Sequence, residues 1–468
     1  MKVAFCSAEV FPFAKTGGLG EVCGTLPVAL KKRGIDVTVI MPRFRCIQDC
    51  GRPIRETGEG VATATLDEGI PVYFIESKLF FDRDGLYGDA HGDYPDNAER
   101  FQYYCLQTLE LLRRLKRKVD IVHCHDWHAA LIPVYLKAYY GDDPFYAKTK
   151  SVLTIHNLAH QGVFPDKDYG KLGLRNDLFE SFEFFGKANF LKAGILHGDR
   201  ITTVSPQYAR EIQTPRFGCG LEAVLRSRAD KVTGILNGLN YEVWNPATDP
   251  FLKERYSADD VETAKSANKT HLQKEFRLSV RSDIPLCGFV GRLSHQKGID
   301  LILKVLQDMK DRDMQVLILG SGDGKYQRHL QEIAAQYPQK MAVSIHFDER
   351  LAHQIYAGCD LLWMPSHFEP CGLSQMIGLR YGTIPVVHHV GGLVDTVVPF
   401  DSSRRTGNGF VFDKYSGEDF EKALHQAVAV FHNKALFRRI RQDAFAADFS
   451  WDKSAHEYEK VYRCLLSD

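Results

Sequence analysis

The sequence contains no apolar run that approaches the length of a membrane span. Its opening, "MKVAFCSAEV", does not read as a signal peptide, because Glu9 interrupts the apolar stretch and Lys2 is the only basic residue before it. Charge of one sign is not in excess: Lys plus Arg and Asp plus Glu number 59 each. That balance argues against a dedicated nucleic-acid or anionic-membrane partner, although local basic sites remain open. Cysteine supplies no framework either. The eleven cysteines are odd in number and scattered, and Cys46 and Cys50 meet no second pair in a zinc pattern. The expectation is a soluble cytoplasmic protein with reduced thiols. Also missing are the G-x-S-x-G elbow of hydrolases, the G-x-G-x-x-G dinucleotide fingerprint and a Walker A sequence. Nucleophilic hydrolysis and nicotinamide redox chemistry are disfavoured accordingly.

What is present is an ordinary globular composition, 44% hydrophobic and 25% charged over 468 residues, enough chain for two to four domains. Short β-rich runs alternate with helical patterns along most of it. Strand candidates are 2–8, 36–42, 120–125, 151–157 and 200–205, then 286–291, 314–320, 341–347, 360–366 and 383–389. They are almost continuously apolar, as strands buried on both faces of a parallel sheet must be. Between them, "IDLILKVLQDMKDR" and "YQRHLQEIAAQYP" repeat their apolar residues at intervals of three and four. The alternation lapses between "NGLNYEVWNP" (237–246) and residue 285, in a charged and polar stretch read as a helical connector. The fold class is α/β, with two Rossmann-like halves. Ligands of such sheets collect beyond the carboxyl ends of the strands, so facing halves are expected to line one cleft. "FFDRDGLYGDAHGDYPDNAERF" (80–101), rich in Gly, Asp and Tyr, reads as a long functional loop.

Four strand-to-helix turns carry the candidate chemistry. In "FPFAKTGGLGEV" (11–22), Gly17 and Gly18 permit close backbone approach and unusual dihedrals, and Lys15 stands beside them. Leu19, Val22, Leu26 and Leu30 then share one helical face, Pro27 predicts a kink, and Gly34 can end the helix. A helix start with a cation suits a phosphate or a sugar; a tight turn with no ligand is the competing reading. "GRLSHQKGIDL" (291–301) places Arg292 and Lys297 before an amphipathic helix, as a diphosphate site or as solvent-facing loop cations. "SHFEPCGLSQMIGLRYG" (366–382) sets Glu369 before a helix starting near Ser374, where the carboxylate suits sugar hydroxyls and the N–H groups of Gly372, Leu373 and Ser374 suit phosphate. "HHVGGLVDTV" (388–397) repeats the strand, Gly-Gly, helix pattern. "VHCHDWHA" (122–129) brings His123, His125, Asp126 and His128 together; a strand-end group bonding substrate is preferred over a metal site. His156, in "VLTIHN", raises the same question, and a lone strand-end histidine is more often structural than catalytic.

Together "SAEVFPFAKTGGLGEV", "GLYGDAHGDYPDNAERF", "HCHDWHA", "TIHNLAHQGVF", "NGLNYEVWNP", "GRLSHQKGIDL" and "HFEPCGLSQM" resemble the bacterial glycogen synthase and plant starch synthase family, in family order and over nearly the whole chain. The resemblance implies a GT-B fold: two Rossmann-like domains, with mostly parallel sheets, facing a deep interdomain cleft. It implies an N-terminal domain over 1–240, a donor-side domain over 241–448, and a helix over 449–468 crossing back to the first. The implied reaction is transfer of glucose from ADP-glucose to the non-reducing 4-hydroxyl of an α-1,4-glucan such as glycogen, with retention and with no metal or other cofactor. No nucleic-acid or membrane partner is implied, and oligomeric state is left open. By the same analogy Lys15 contacts the donor diphosphate beside Gly17 and Gly18, and Arg292 and Lys297 neutralise the leaving ADP. Glu369 holds the donor glucose, with Gly372, Leu373 and Ser374 beside it. His156 bonds the sugar, its carbonyl near the anomeric centre. Asp126 and Glu9 line the sugar and acceptor side.

Two positions bear on the branch of the family. "NGLN" carries Asn240 where the family commonly has Asp, which leaves a turn role. Met376 stands where many retaining GT-B enzymes have a second Glu, a gap shared by the glycogen and starch branch. The alternatives are a related GT-B enzyme using UDP-glucose or another acceptor, and a catalytically silent glucan-binding protein. No close carboxylate pair of the retaining-hydrolase kind is evident, so front-face attack without a covalent intermediate is favoured.

Overall fold

The structure is a computed structural model and describes residues 1–58 and 60–467. The chain falls into two compact units, one of Met1–Gly238 with the closing helix Trp451–Ser467, the other of Leu239–Ser450.

The first unit is built on a nine-stranded sheet. Strand Lys2–Cys6 lies near its middle and pairs in parallel with Asp36–Pro42 on one side and Ile121–His125 on the other. The sheet continues in parallel through Lys150–Ile155, Arg200–Thr203 and Val232–Gly234 on the second side. On the first side Ile70–Ile75 is parallel, and Val61–Leu66 and Arg55–Glu56 close the edge antiparallel. The five residues of Ile121–His125 are all buried, which accounts for the unbroken apolar pattern of a strand covered on both faces. The chain moves outward from Lys2–Cys6 in one direction and later in the other, so the switch point lies between Lys2–Cys6 and Ile121–His125. The helix Gly18–Lys32 starts beyond the carboxyl end of the first of these strands and runs unbroken through Pro27, where the sequence predicts a kink. Gly34, at φ +81°, ends it. The closing helix packs on this unit through Arg33, which bonds Asp452 and Glu459, and through Tyr462, whose hydroxyl lies 2.7 Å from His123 Nδ1.

The second unit has a six-stranded, wholly parallel sheet in the order Met341–Ser344, Gln315–Leu319, Leu286–Val290, Leu361–Met364, Ile384–His388, Phe410–Phe412. Numbered within the unit this is 3-2-1-4-5-6, the dinucleotide-fold order, with its switch point between Leu286–Val290 and Leu361–Met364. The segment read as a connector is a packing element. Helix Val261–Glu275 lies against helix Glu349–Gly358 and buries Lys265, Asn268, Lys269 and Gln273 along with Leu272. Lys265 donates to the carbonyls of Tyr356, Ala357 and Tyr381 and to Thr383 Oγ1. Lys269 pairs with Asp360 at 2.8 Å, and Asp360 also accepts from Arg441.

All ten strands expected from the sequence are present, most of them trimmed at their carboxyl ends. Strands Val61–Leu66, Ile70–Ile75, Val232–Gly234 and Phe410–Phe412 are additions to that set. The loop expected over 80–101 ends earlier than its composition suggests, because "NAERF" is already the first turn of helix Asn97–Arg114.

Candidate functional site

In the second unit three turns meet at the switch point. The turn after Leu286–Val290 carries Arg292 and Lys297, the turn after Leu361–Met364 carries Glu369, and the turn after Ile384–His388 carries Gly391 and Gly392. Lys297 Nζ sits 2.6 Å from Glu369 Oε2, and Ser366 Oγ donates to the same oxygen at 3.0 Å. The two turns are also joined by backbone, since His367 N donates to the Gln296 carbonyl. Gly298, at φ +73°, lies so close to Pro365 that a Cβ there would meet the Pro365 oxygen at 1.9 Å. Arg292 is exposed, and among the described residues its guanidinium has no ion pair. Gly372 is left-handed at φ +73°, and helix Ser374–Arg380 follows Leu373. The space beside Gly391 and Gly392 is filled by protein: a Cβ at Gly391 would stand 2.0 Å from the Glu369 oxygen, and one at Gly392 2.1 Å from the Cys371 oxygen. Their work is to hold the Glu369 turn, with Gly392 N donating to the Glu369 carbonyl at 3.0 Å.

The first unit gathers the remaining candidates at its own switch point. Glu9 is buried, and its carboxylate accepts from Thr16 N, Thr16 Oγ1, Gly17 N and the Tyr87 hydroxyl. Glu9 therefore anchors the glycine turn. Four donors already share its two oxygens. Lys15 pairs with Glu21 at 2.5 Å and lies over the Phe11 ring. Gly17 is extended, at φ −163° and ψ −158°, and Gly18 starts the helix. Neither has the unusual dihedrals their type suggests, and a Cβ on either would meet nothing within 4 Å. The tightly packed glycines, Gly20 and Gly24, lie in the helix itself; a Cβ at Gly24 would meet the Phe11 oxygen at 2.5 Å.

Asp126 and His156 come together. Asp126 takes a left-handed conformation, φ +55°, and its Oδ1 accepts from the His156 backbone N–H at 2.7 Å. Burial pushes the Asp126 carboxyl up to about 7, against the pull of backbone N–H groups from His156 and Asn157. Burial pushes the His156 imidazole down to about 3, so it is neutral at physiological pH and acts as a hydrogen-bonding ring. His156 Nε2 lies 2.9 Å from His125 Nδ1. His123 is a core residue, held between Thr154 Oγ1 and the Tyr462 hydroxyl. His128 stacks on Tyr87.

Four features escape a reading of the sequence. Tyr87 is legible there only as part of a Tyr-rich loop. Ser366 precedes Glu369 by three residues, within the quoted motif. The His125–His156 contact joins neighbouring strands and has no local signal. Phe347 is 81% exposed beyond the carboxyl end of Met341–Ser344, and an exposed aromatic in a strand-end turn is the signal that could single it out. Asn240 makes a turn, its side chain accepting from Glu242 N. Met376 is wholly buried.

Residues 2–227 match the family model described as starch synthase catalytic domain, and residues 273–439 match glycosyl transferases group 1. The chain is 45% identical to a glycogen synthase of Geotalea daltonii, with 100% of this chain and 99% of that one covered. It is 43% identical to glycogen synthase 2 of Geobacter sulfurreducens, covering 99% and 98%. Among solved structures, the catalytic domain of starch synthase IV from Arabidopsis thaliana, bound to ADP and acarbose, superposes with a TM-score of 0.89 at 34% identity, covering 100% of this chain and 99% of that one.

Proposed function

Because the chain belongs to the glycogen synthase and starch synthase family of GT-B glycosyltransferases, we propose that it transfers glucose from ADP-glucose to the non-reducing 4-hydroxyl of an α-1,4-glucan, with retention. That it is a glucosyltransferase of the glycogen synthase type follows from relatives matched over its full length. The choice of ADP-glucose, the residue roles and the absence of a metal requirement are the proposal.

The observation that carries it is the Lys297–Glu369 pair at the switch point of a dinucleotide-type sheet, with the exposed Arg292 in the same turn as Lys297. Breaking the anomeric C–O bond leaves negative charge on the nucleotide and positive charge on the sugar ring. Arg292 and Lys297 answer the first charge, and no metal ion is needed to do so. Removing one such preorganised donor costs about 2–4 kcal/mol, or roughly 10²–10³ in rate. Glu369 accepts from donor sugar hydroxyls while Ser366 and the Gly391–Gly392 turn hold it, and the N–H groups of Gly372, Leu373 and Ser374 face phosphate. Phe347 offers a flat apolar face to a nucleobase.

In the first unit Lys15 addresses the diphosphate, Gly17 and Gly18 leave the space a ligand needs, and Glu9 positions that turn. His156, neutral, bonds the sugar, and Asp126 fixes its backbone. The arrangement supplies charge stabilisation without a nucleophilic carboxylate, which supports front-face attack. Eleven free cysteines support a cytoplasmic setting; no described helix is long and apolar enough to cross a membrane.

The test is glucose incorporation into glycogen from ADP-glucose beside UDP-glucose, with purified protein. The reading expects clear preference for ADP-glucose. Preference for UDP-glucose overturns the donor assignment, and glycogen binding without turnover of either donor overturns the enzyme.

A further inference from the structure

One group of metal-binding side chains comes together among the described residues. Cys23, His125 and His156 each offer a ligand atom, the three atoms lie within 4.8 Å of one another, and all three residues are buried. The group is not the "HCHDWH" run. Cys23 comes from the helix Gly18–Lys32, His125 from the end of strand Ile121–His125, and His156 from the residue after strand Lys150–Ile155. One thiol and two imidazoles form the donor set of zinc and other thiophilic divalent ions, which take such ligands tetrahedrally and leave a fourth position open.

A second observation points the same way. His125 Nε2 is buried with no hydrogen-bond partner among the described residues, while its Nδ1 faces His156 Nε2 at 2.9 Å. Nδ1 is the nitrogen that faces His156, and the unpartnered Nε2 of the same ring is free to take up the ring hydrogen when Nδ1 turns to a metal ion.

We propose that Cys23, His125 and His156 form a binding site for zinc or a similar thiophilic divalent cation, and that loading it inhibits the enzyme by withdrawing His156 from the donor sugar. The inhibitory half rests on the reading of His156 as a sugar ligand. Loading forms one metal–sulfur and two metal–nitrogen bonds. The Cys23 thiol gives its proton to solvent, and the hydrogen shared by the two rings moves to another nitrogen of the ring that keeps it. No electron is transferred. The proposed transfer reaction uses no metal, so the site is a control on the reaction and has no part in its chemistry.

The experiment uses the full chain, stripped with a chelator and titrated with Co²⁺ as a coloured stand-in for Zn²⁺. The expected result is a thiolate-to-cobalt charge-transfer band that saturates at one equivalent and is bleached by Zn²⁺. Cys23→Ser, nearly isosteric, abolishes the band and weakens Zn²⁺ binding about 100-fold or more, while turnover in chelator is kept and Zn²⁺ inhibition is lost. His125→Gln weakens Zn²⁺ binding as well. Cys219→Ser and Cys464→Ser, which remove the two exposed thiols, leave the band in place. Absence of a band in the wild-type chain, its survival in Cys23→Ser, or its loss in either exposed-thiol variant overturns the site. A Cys23-dependent band with full activity of the zinc-loaded enzyme overturns the inhibition alone and counts against His156 as a sugar ligand.

Discussion

The two Gly-Gly turns look alike in sequence and differ in what surrounds them. At Gly17–Gly18 the space beside each Cα is open, and the backbone needs no glycine conformation. At Gly391–Gly392 the space is filled by the carbonyls of Glu369 and Cys371, and Gly391 sits at φ +49°. A glycine pair kept open leaves room for a ligand, and a closed one fixes a neighbouring turn. The same contrast extends to the charges: Lys15 is paired with a residue of the helix that follows its own turn, whereas Lys297 is paired with the carboxylate of the neighbouring strand's turn.

The largest effect expected from this contrast is at Glu369. Glu369→Ala removes the partner of Lys297 and the group assigned to the sugar, and steady-state glucose transfer should fall roughly 10²–10³-fold with the fold intact by circular dichroism. Near-normal kcat removes Glu369 from the mechanism. The next effect separates the glycine pairs. Gly391→Ala forces a methyl against the Glu369 carbonyl in a left-handed conformation, a strain of about 1–3 kcal/mol. It should lower both Tm and kcat. Gly17→Ala should leave Tm unchanged and raise KM for the nucleotide sugar, a split that a purely structural glycine does not produce.

A third effect concerns stability alone. Asp249 is buried. Burial pushes its carboxyl up, but hydrogen bonds from His353 and Tyr381 outweigh this and hold it below its ordinary value. A depressed carboxyl stabilises the fold above the unfolded value of about 3.9, and that stabilisation is lost as pH falls through the folded value. Asp249→Asn should therefore destabilise the second unit at pH 7, and denaturant titrations of variant and wild type should begin to converge as pH falls below about 4 and meet only below the lowered folded value. Equal differences at both pH values count against the assignment. The smallest effect is Tyr87→Phe. It removes one of the Glu9 donors and should cost about 0.5–1.5 kcal/mol in chemical denaturation, with a modest rise in donor KM.

The core strands are legible because burial on both faces writes a continuous apolar run, as in Asp36–Pro42. Val61–Leu66 is not, because "VATATL" mixes Thr and Ala with its apolar residues, and Ile70–Ile75 is a short apolar run, "IPVYFI", interrupted by Pro71. Helix Val261–Glu275 reads as a connector because Lys265 and Lys269 point inward, where carbonyl oxygens and Asp360 compensate them, and composition does not reveal direction. Of the candidate site, the residues inside a single turn can be named in advance. What the sequence withholds are contacts made between distant segments: the Tyr87 hydroxyl on Glu9, the Glu369 oxygen over Gly391, and the ring of His125 against His156.

The measurement that bears most directly on the central claim is calorimetric titration of ADP into the wild-type chain and into Arg292→Ala and Lys297→Ala. If these two side chains neutralise the leaving diphosphate, each variant should bind ADP more weakly by at least about tenfold, equivalent to roughly 1.4 kcal/mol, with the heat of binding reduced and the fold unchanged. ADP affinity equal to wild type in both variants would contradict the account.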